Sequence, residues 1–125
     1  MPDLPPSPTS VQNVVSSLLS DGRNQDALKA ATAALVEARN NGLEGDEQAA
    51  KLCTALLTLG DVQRELGSIQ ESEASYREGL ELAGDRPDLT GERARLRMQL
   101  ATLLDFNERE SEAAPLYEQA AADFE

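Results

Sequence analysis

The sequence predicts an all-α protein of six helices paired as three αα-hairpins, and three observations carry that expectation. Residues of one helical face recur at intervals of three or four, as in Leu56, Leu59, Gly60, Gln63 and Leu66 and then Ile69, Ser72, Tyr76, Gly79 and Leu80. That is the period of an amphipathic helix. Glycines stand where such stretches stop, Gly67 above all, and glycine adopts the positive φ of a helix C-terminus without steric cost. The apolar material is also unusual: 125 residues include two Phe, two Tyr and no Trp. A core of Leu, Ala and Val follows, and its small alanines let helix axes approach closely.

The elements follow in order. Pro2, Pro5, Pro6 and Pro8 remove amide donors and bias each preceding residue away from helix, so residues 1–9 read as a flexible Pro-rich arm. A single domain is expected over 10–125, with hairpins at about 10–42, 45–84 and 88–125. Ser10 caps a short helix carrying Val11, Val14, Val15, Leu18 and Leu19, ended by Asp21-Gly22. Asn24 opens the second helix, with Ala27, Leu28, Ala31, Ala34, Leu35 and Ala38 along one stripe and Gly42 as its stop. Gly45-Asp46 opens the third, which runs to Leu66, and Ser68 is expected to cap the fourth, which ends near Ala83. After the connector Gly84 to Gly91, capped by Asp88 or Thr90, a fifth helix is expected over Glu92 to Phe106. A sixth begins near Glu108 to Ser111, with Pro115 in about its first turn, where a lost hydrogen bond costs least.

Charge narrows the functional classes. Twenty-three Asp and Glu against 11 Lys and Arg give a formal charge of -12, which argues against a nucleic-acid binder. Cys53 is the only cysteine, so no internal disulfide forms, and the plain reading of it is a small apolar residue in a helix. No apolar run approaches the ~20 residues of a membrane span, and no basic-then-apolar leader opens the chain. The expectation is a cytoplasmic protein without a transmembrane segment.

The hairpins repeat. Gly22, Gly67 and Glu108 occupy equivalent turn positions, at offsets of 45 and then 41 residues. Ala27, Ser72 and Ala113 follow in register, as do Ala31, Tyr76 and Tyr117, and Ala34, Gly79 and Ala120. Upstream of each turn, Val14-Val15, Leu59-Gly60 and Leu100-Ala101 correspond. Leu59-Gly60, Gly67, Ser72, Tyr76 and Gly79 stand at the signature spacing of the tetratricopeptide repeat (TPR) family, and residues 10–125 resemble three such repeats. Gln63 departs from an expected aromatic, Gly84 from a terminal proline and Glu108 from a turn glycine. Because the period exceeds the ~34 residues of the ordinary repeat, the chain is more similar to the extended repeats of kinesin light chain. The run SEAAPLYEQAAADFE is similar to the second helix of that group, and small bacterial proteins of that type exist.

The resemblance implies a superhelix whose first helices line a concave peptide-binding face. With Leu56, Leu59 and Leu66 in the core, the third helix presents Thr54, Leu57, Asp61, Arg64 and Glu65. The fifth presents Arg95, Met98, Gln99, Thr102, Asp105 and Phe106, and the first Gln12, Ser16, Leu19 and Ser20. Thr54, Leu57, Asp61, Arg64, Met98, Thr102 and Phe106 are the candidate groove residues. Gln12, Ser16 and Thr58 stand where chaperone-tail clamps carry Lys and Asn, and Arg95 alone fits, so that activity is not expected. Arg86, Arg93, Arg95 and Arg97 form a second candidate site, a basic patch for an acidic segment or anionic surface. The plainer reading of the patch is a solvated face paired with Asp85, Asp88 and Glu92. The partners that the resemblance implies are a tubulin-like filament, acidic cargo motifs or anionic lipid.

No polar helix follows the last hairpin to cap Ala113, Leu116, Ala120 and Phe124. Either Glu112, Glu118, Gln119 and Asp123 make its outer face polar enough, or a second copy covers it in a homo-oligomer. Catalysis has little material: there is no His, no phosphate-cradling Gly loop, and no Cys or His set at metal spacing. Glu71-Glu73 and Glu108-Glu110-Glu112 read as solvated helix starts. The expected function is a non-enzymatic adaptor without cofactor or metal, and the alternative is a secretion-type chaperone or regulatory subunit shielding an amphipathic segment.

Overall fold

The computed structural model describes residues 10–40 and 45–123. The Pro-rich arm, the expected stop at Gly42 and the apolar Phe124 lie outside the described residues, as does the side chain of Ser10. Six α-helices make up the described chain: α1 Ser10–Ser20, α2 Asn24–Asn40, α3 Gly45–Glu65, α4 Ile69–Ala83, α5 Thr90–Phe106 and α6 Glu110–Asp123. A 3₁₀ turn at Pro87–Leu89 leads into α5, and the described residues contain no strand.

Each helix packs on its neighbour in the chain, and α3 also meets both α1 and α5. Period explains why α3 can serve two sides. Leu56, Leu59 and Val62 enter one apolar cluster with Val15 of α1 and Ala27, Ala31, Leu35 and Ala38 of α2. Cys53 and Leu57 enter another with Tyr76 and Ala83 of α4, Leu96, Leu100 and Leu104 of α5, and Ala113 of α6. One helix thus joins both halves of the core.

The turns repeat at atomic detail. After α1, the amides of Gly22 and Arg23 donate to the carbonyls of Leu19 and Leu18; after α3, those of Gly67 and Ser68 donate to Arg64 and Gln63. After α5, Glu108 and Arg109 donate to Asp105 and Leu104. This paired pattern is the Schellman motif, which needs a left-handed residue at its centre. Gly22 (φ 75°), Gly67 (φ 79°) and Glu108 (φ 61°) supply it. The absence of glycine at the third turn therefore leaves the geometry intact and puts a side chain where it is disfavoured.

Close crossings explain two more glycines. A Cβ on Gly60 would sit 2.5 Å from Cε1 of Tyr76, and one on Gly79 would sit 2.8 Å from Cδ2 of Leu96. Gly60 therefore lets α4 approach α3, and Gly79 lets α5 approach α4. Ser72 strengthens the first crossing, its buried hydroxyl donating to the Gly60 carbonyl at 2.7 Å. Cys53 is fully buried beside the second, its thiol donating to the Gly79 carbonyl at 3.4 Å. Burial pushes that thiol up to about 11.

Three local expectations are corrected. Ser68 precedes α4 but its side chain makes no capping hydrogen bond; its carbonyl accepts the first helical bond, from Ser72, at 2.9 Å. Helix α5 starts at Thr90 rather than Glu92 because the 3₁₀ turn feeds straight into it. The Thr90 hydroxyl donates to the Pro87 carbonyl at 2.8 Å instead of accepting from a helix amide. Pro115 is the sixth residue of α6, beyond the first turn. It deprives the Ser111 carbonyl of a helical donor, and Ser111 is exposed to water, which replaces it.

Two substitutions test these assignments with opposite signs. Gly60→Ala is expected to cost about 1–3 kcal/mol, since the buried Tyr76 ring has no room to retreat. Glu108→Gly is expected to gain up to about 1 kcal/mol by relieving a left-handed non-glycine residue. Urea denaturation midpoints of the two variants and the parent read both changes.

Candidate functional groove

Helices α1, α3 and α5 share one side of the molecule, and the space between them is an open cavity of about 720 Å³. Leu57, Asp61, Arg64 and Met98 line it, together with Gln12, Ser16, Leu19 and Ser20 of α1 and Arg95 and Gln99 of α5. Expected groove positions from three separate helices thus come together. Thr54 is exposed beside the cavity but does not line it, and Thr102 is half-buried outside it. Phe106 lies on a second cavity of about 320 Å³ with Ile69, Leu103 and Asn107, and Arg64 and Glu65 line both spaces. Leu57 differs most from expectation: it is only 8% exposed and belongs to the core, offering the groove an edge rather than an anchor.

The floor is held by polar bonds between helices. Gln12 donates to the Thr58 hydroxyl at 3.4 Å, tying α1 to α3, and that hydroxyl donates to the Thr54 carbonyl at 3.0 Å. Asp61 Oδ1 accepts from the Tyr76 hydroxyl and, at 2.8 Å, from the Gln99 amide. One carboxylate oxygen therefore joins α3, α4 and α5. Burial raises the Asp61 carboxyl above its ordinary value, and the bonds from Tyr76 and Gln99 and the charge of Arg64 only partly offset it. Burial likewise raises the Tyr76 hydroxyl, and the Asp61 charge adds to the effect. The third hairpin repeats the bond, with the Tyr117 hydroxyl donating to Thr102 at 3.4 Å.

The four arginines of the expected basic patch are divided by the fold. Arg97 donates to Asp123 of α6 at 2.6 Å, and Arg93 lies 3.8 Å from the same carboxylate. Arg93 also donates to the carbonyls of Gly84 at 2.9 Å and Arg86 at 3.2 Å, neutralising the C-terminal end of α4. Arg86 lies half-buried in that connector. Among the described residues the carboxylate paired with Arg93 and Arg97 is therefore Asp123 of the last helix, not Asp85, Asp88 or Glu92. Arg95 stands apart from them on the groove.

Arg109 was not singled out by sequence, yet it ties α4 to α6 through Glu73 at 2.7 Å while also holding Glu112 at 2.6 Å. Burial raises the Glu73 carboxyl, but hydrogen bonds from Arg109 and Arg77 outweigh it and leave the group below its ordinary value. The described residues contain no group of His, Cys, Asp or Glu arranged to hold a metal ion. No described helix is long and apolar enough to cross a membrane. In comparisons with known proteins, the chain matches no family model, no curated protein and no solved structure.

Asp61→Asn is expected to raise stability near neutral pH. The amide oxygen still accepts both bonds, while the desolvated charge is gone. A carboxyl raised in the folded state contributes most when protonated, and that contribution is lost as pH rises through its folded value. The advantage of the Asn variant should therefore be present above the ordinary Asp range and vanish as pH falls below it. Thermal melts across that range check the sign.

Proposed function

We propose that the protein is a non-enzymatic interaction module that binds an extended, carboxylate-bearing segment of a partner protein in the α1–α3–α5 groove. The observation that carries this reading concerns two arginines. Arg64 and Arg95 both line the groove, and neither makes an ion pair or hydrogen bond among the described residues. In a chain with more than two acidic residues for each basic one, a guanidinium without such a partner stands out. Arg93, Arg97 and Arg109 have such partners. Guanidinium groups bind carboxylates through paired, charge-assisted bonds. The apolar edges of Leu19, Leu57 and Met98 offer contact area between the polar groups.

The same reading takes the fold as a three-hairpin superhelix of tetratricopeptide type, with the repeated Schellman turns and the recurring tyrosine bond in its support. An acidic tail of a tubulin-like filament or an acidic cargo segment fits the groove's chemistry. An anionic lipid surface fits it less well, because a concave site suits a strand of chain better than a plane. The basic patch as a unit is not part of the proposal, since Arg93 and Arg97 are committed to Asp123. Nor does the proposal include an oligomer through the last hairpin, whose α6 leaves Glu118 and Gln119 exposed beside Ala114 and Ala122.

Fluorescence anisotropy with a panel of acidic peptides, each with matched Glu→Gln and Glu→Lys versions, tests the reading. The acidic versions should bind best, and Arg64→Gln with Arg95→Gln should weaken them by about tenfold or more, the worth of one charge-assisted bond. Equal affinity for all three versions, or no effect of the double variant, would sink it. Arg97→Gln should leave peptide binding unchanged and lower the melting temperature instead.

A further inference from the structure

The two cavities are ends of one track, and their register predicts the spacing of the ligand's anchoring groups. Arg64 and Glu65 line both cavities, so the spaces adjoin at the C-terminal end of α3. Helix α5 runs beside both. Arg95 lines the larger cavity and Phe106 the smaller, and they are eleven residues apart on the same helix. Eleven residues are about three turns, which returns Phe106 to nearly the same face and places it about 16 Å further along the axis. Met98, Gln99 and Thr102 occupy the stripe between them. Phe106 is 81% exposed, the most exposed of the large apolar side chains in the described chain, while Leu103 behind it is buried and Ile69 partly so. A bulky apolar side chain entering there is covered on several sides, which gives an exposed aromatic a use as an anchor.

Resting on the groove reading above, the geometry points to a two-anchor ligand: a carboxylate at Arg95 and a bulky apolar side chain against Phe106, Ile69 and Leu103. An extended chain rises about 3.3 Å per residue, so about five residues separate the anchors. The polarity along the groove is also set. Glu65 lines both cavities and the repeat register pairs it with Phe106, whereas Arg95 pairs with the uncharged Thr54; Asp61 lines the larger cavity, where Tyr76 and Gln99 already engage its carboxylate. A ligand carboxylate is therefore repelled least at Arg95, and the apolar group meets the end where a carboxylate would be repelled most, partly offset by Arg64.

Selection of a displayed random-peptide library on the full-length chain tests this. Enriched sequences should carry Asp or Glu and a large apolar residue about five positions apart, in one chain direction or the other. Phe106→Ser should abolish the apolar preference while the acidic one persists, and Arg95→Gln should do the converse. Each change should weaken a selected peptide by about tenfold. Both side chains are exposed, so folding survives, as circular dichroism will verify. Acidic peptides with no spaced apolar residue, or an apolar preference that outlives Phe106→Ser, would overturn the two-anchor ligand while leaving the groove standing. Failure of the parent chain to select any peptide would bring down the groove reading itself and the ligand with it.

Discussion

Tyr76 has no accessible surface, and its ring fills the space left by the missing side chain of Gly60. That contact fixes how closely α4 lies on α3, and its reach extends well past the core. The ring's hydroxyl projects to Asp61 on the groove side of α3, and Asp61 in turn receives Gln99 from α5. A packing constraint between two helices thus becomes a positional constraint on a third. The apolar side of Tyr76 sets a distance and its polar tip sets a register, which is why an aromatic with a hydroxyl, and not a phenylalanine, suits this place.

Around that centre the charges are spent between helices. Arg39 of α2 meets Glu78 of α4, Arg109 of α6's approach meets Glu73 of α4, and Arg97 of α5 meets Asp123 of α6. The first is half exposed on both sides and adds little to stability. The Arg97 pair is better shielded, with side chains 24% and 15% exposed, and Arg93 adds a second cation to the same carboxylate. In a chain of net charge -12, these ties place scarce cations where helices would otherwise repel one another. Among the described residues Arg64 and Arg95, which make no such tie, both line the groove.

Much of this was legible in the residues. Period and glycine placement located all six helices to within a few residues at most ends, and the repeat offsets located equivalent turns, including the one where Glu108 replaces glycine. The face of α3 bearing Asp61 and Arg64 was legible as well, because helical angle alone separates it from Leu56 and Leu59. What pattern could not supply was depth. Leu57 reads as surface by angle but is covered by its neighbours, since α3 is packed on two sides and only a narrow strip remains open. The arginine cluster failed for the complementary reason: Arg93, Arg95 and Arg97 are close in sequence, but successive positions on a helix point in different directions, and Asp123 is 26 residues from Arg97. Long-range pairing of that kind leaves no local trace. A signal for the Asp61 bond did exist, since Tyr76 and Tyr117 each follow a polar residue, Asp61 or Thr102, by 15 positions.

The single thiol has a consequence of its own. Cys53 sits sealed between α3 and the Gly79 carbonyl, and a thiol held near 11 offers almost no thiolate to a reagent in the closed molecule. Any modification at neutral pH must wait for α3 and α4 to part. The protein thereby carries an internal clock for its own breathing: the labelling rate of one sulfur counts how often the central pair of helices opens.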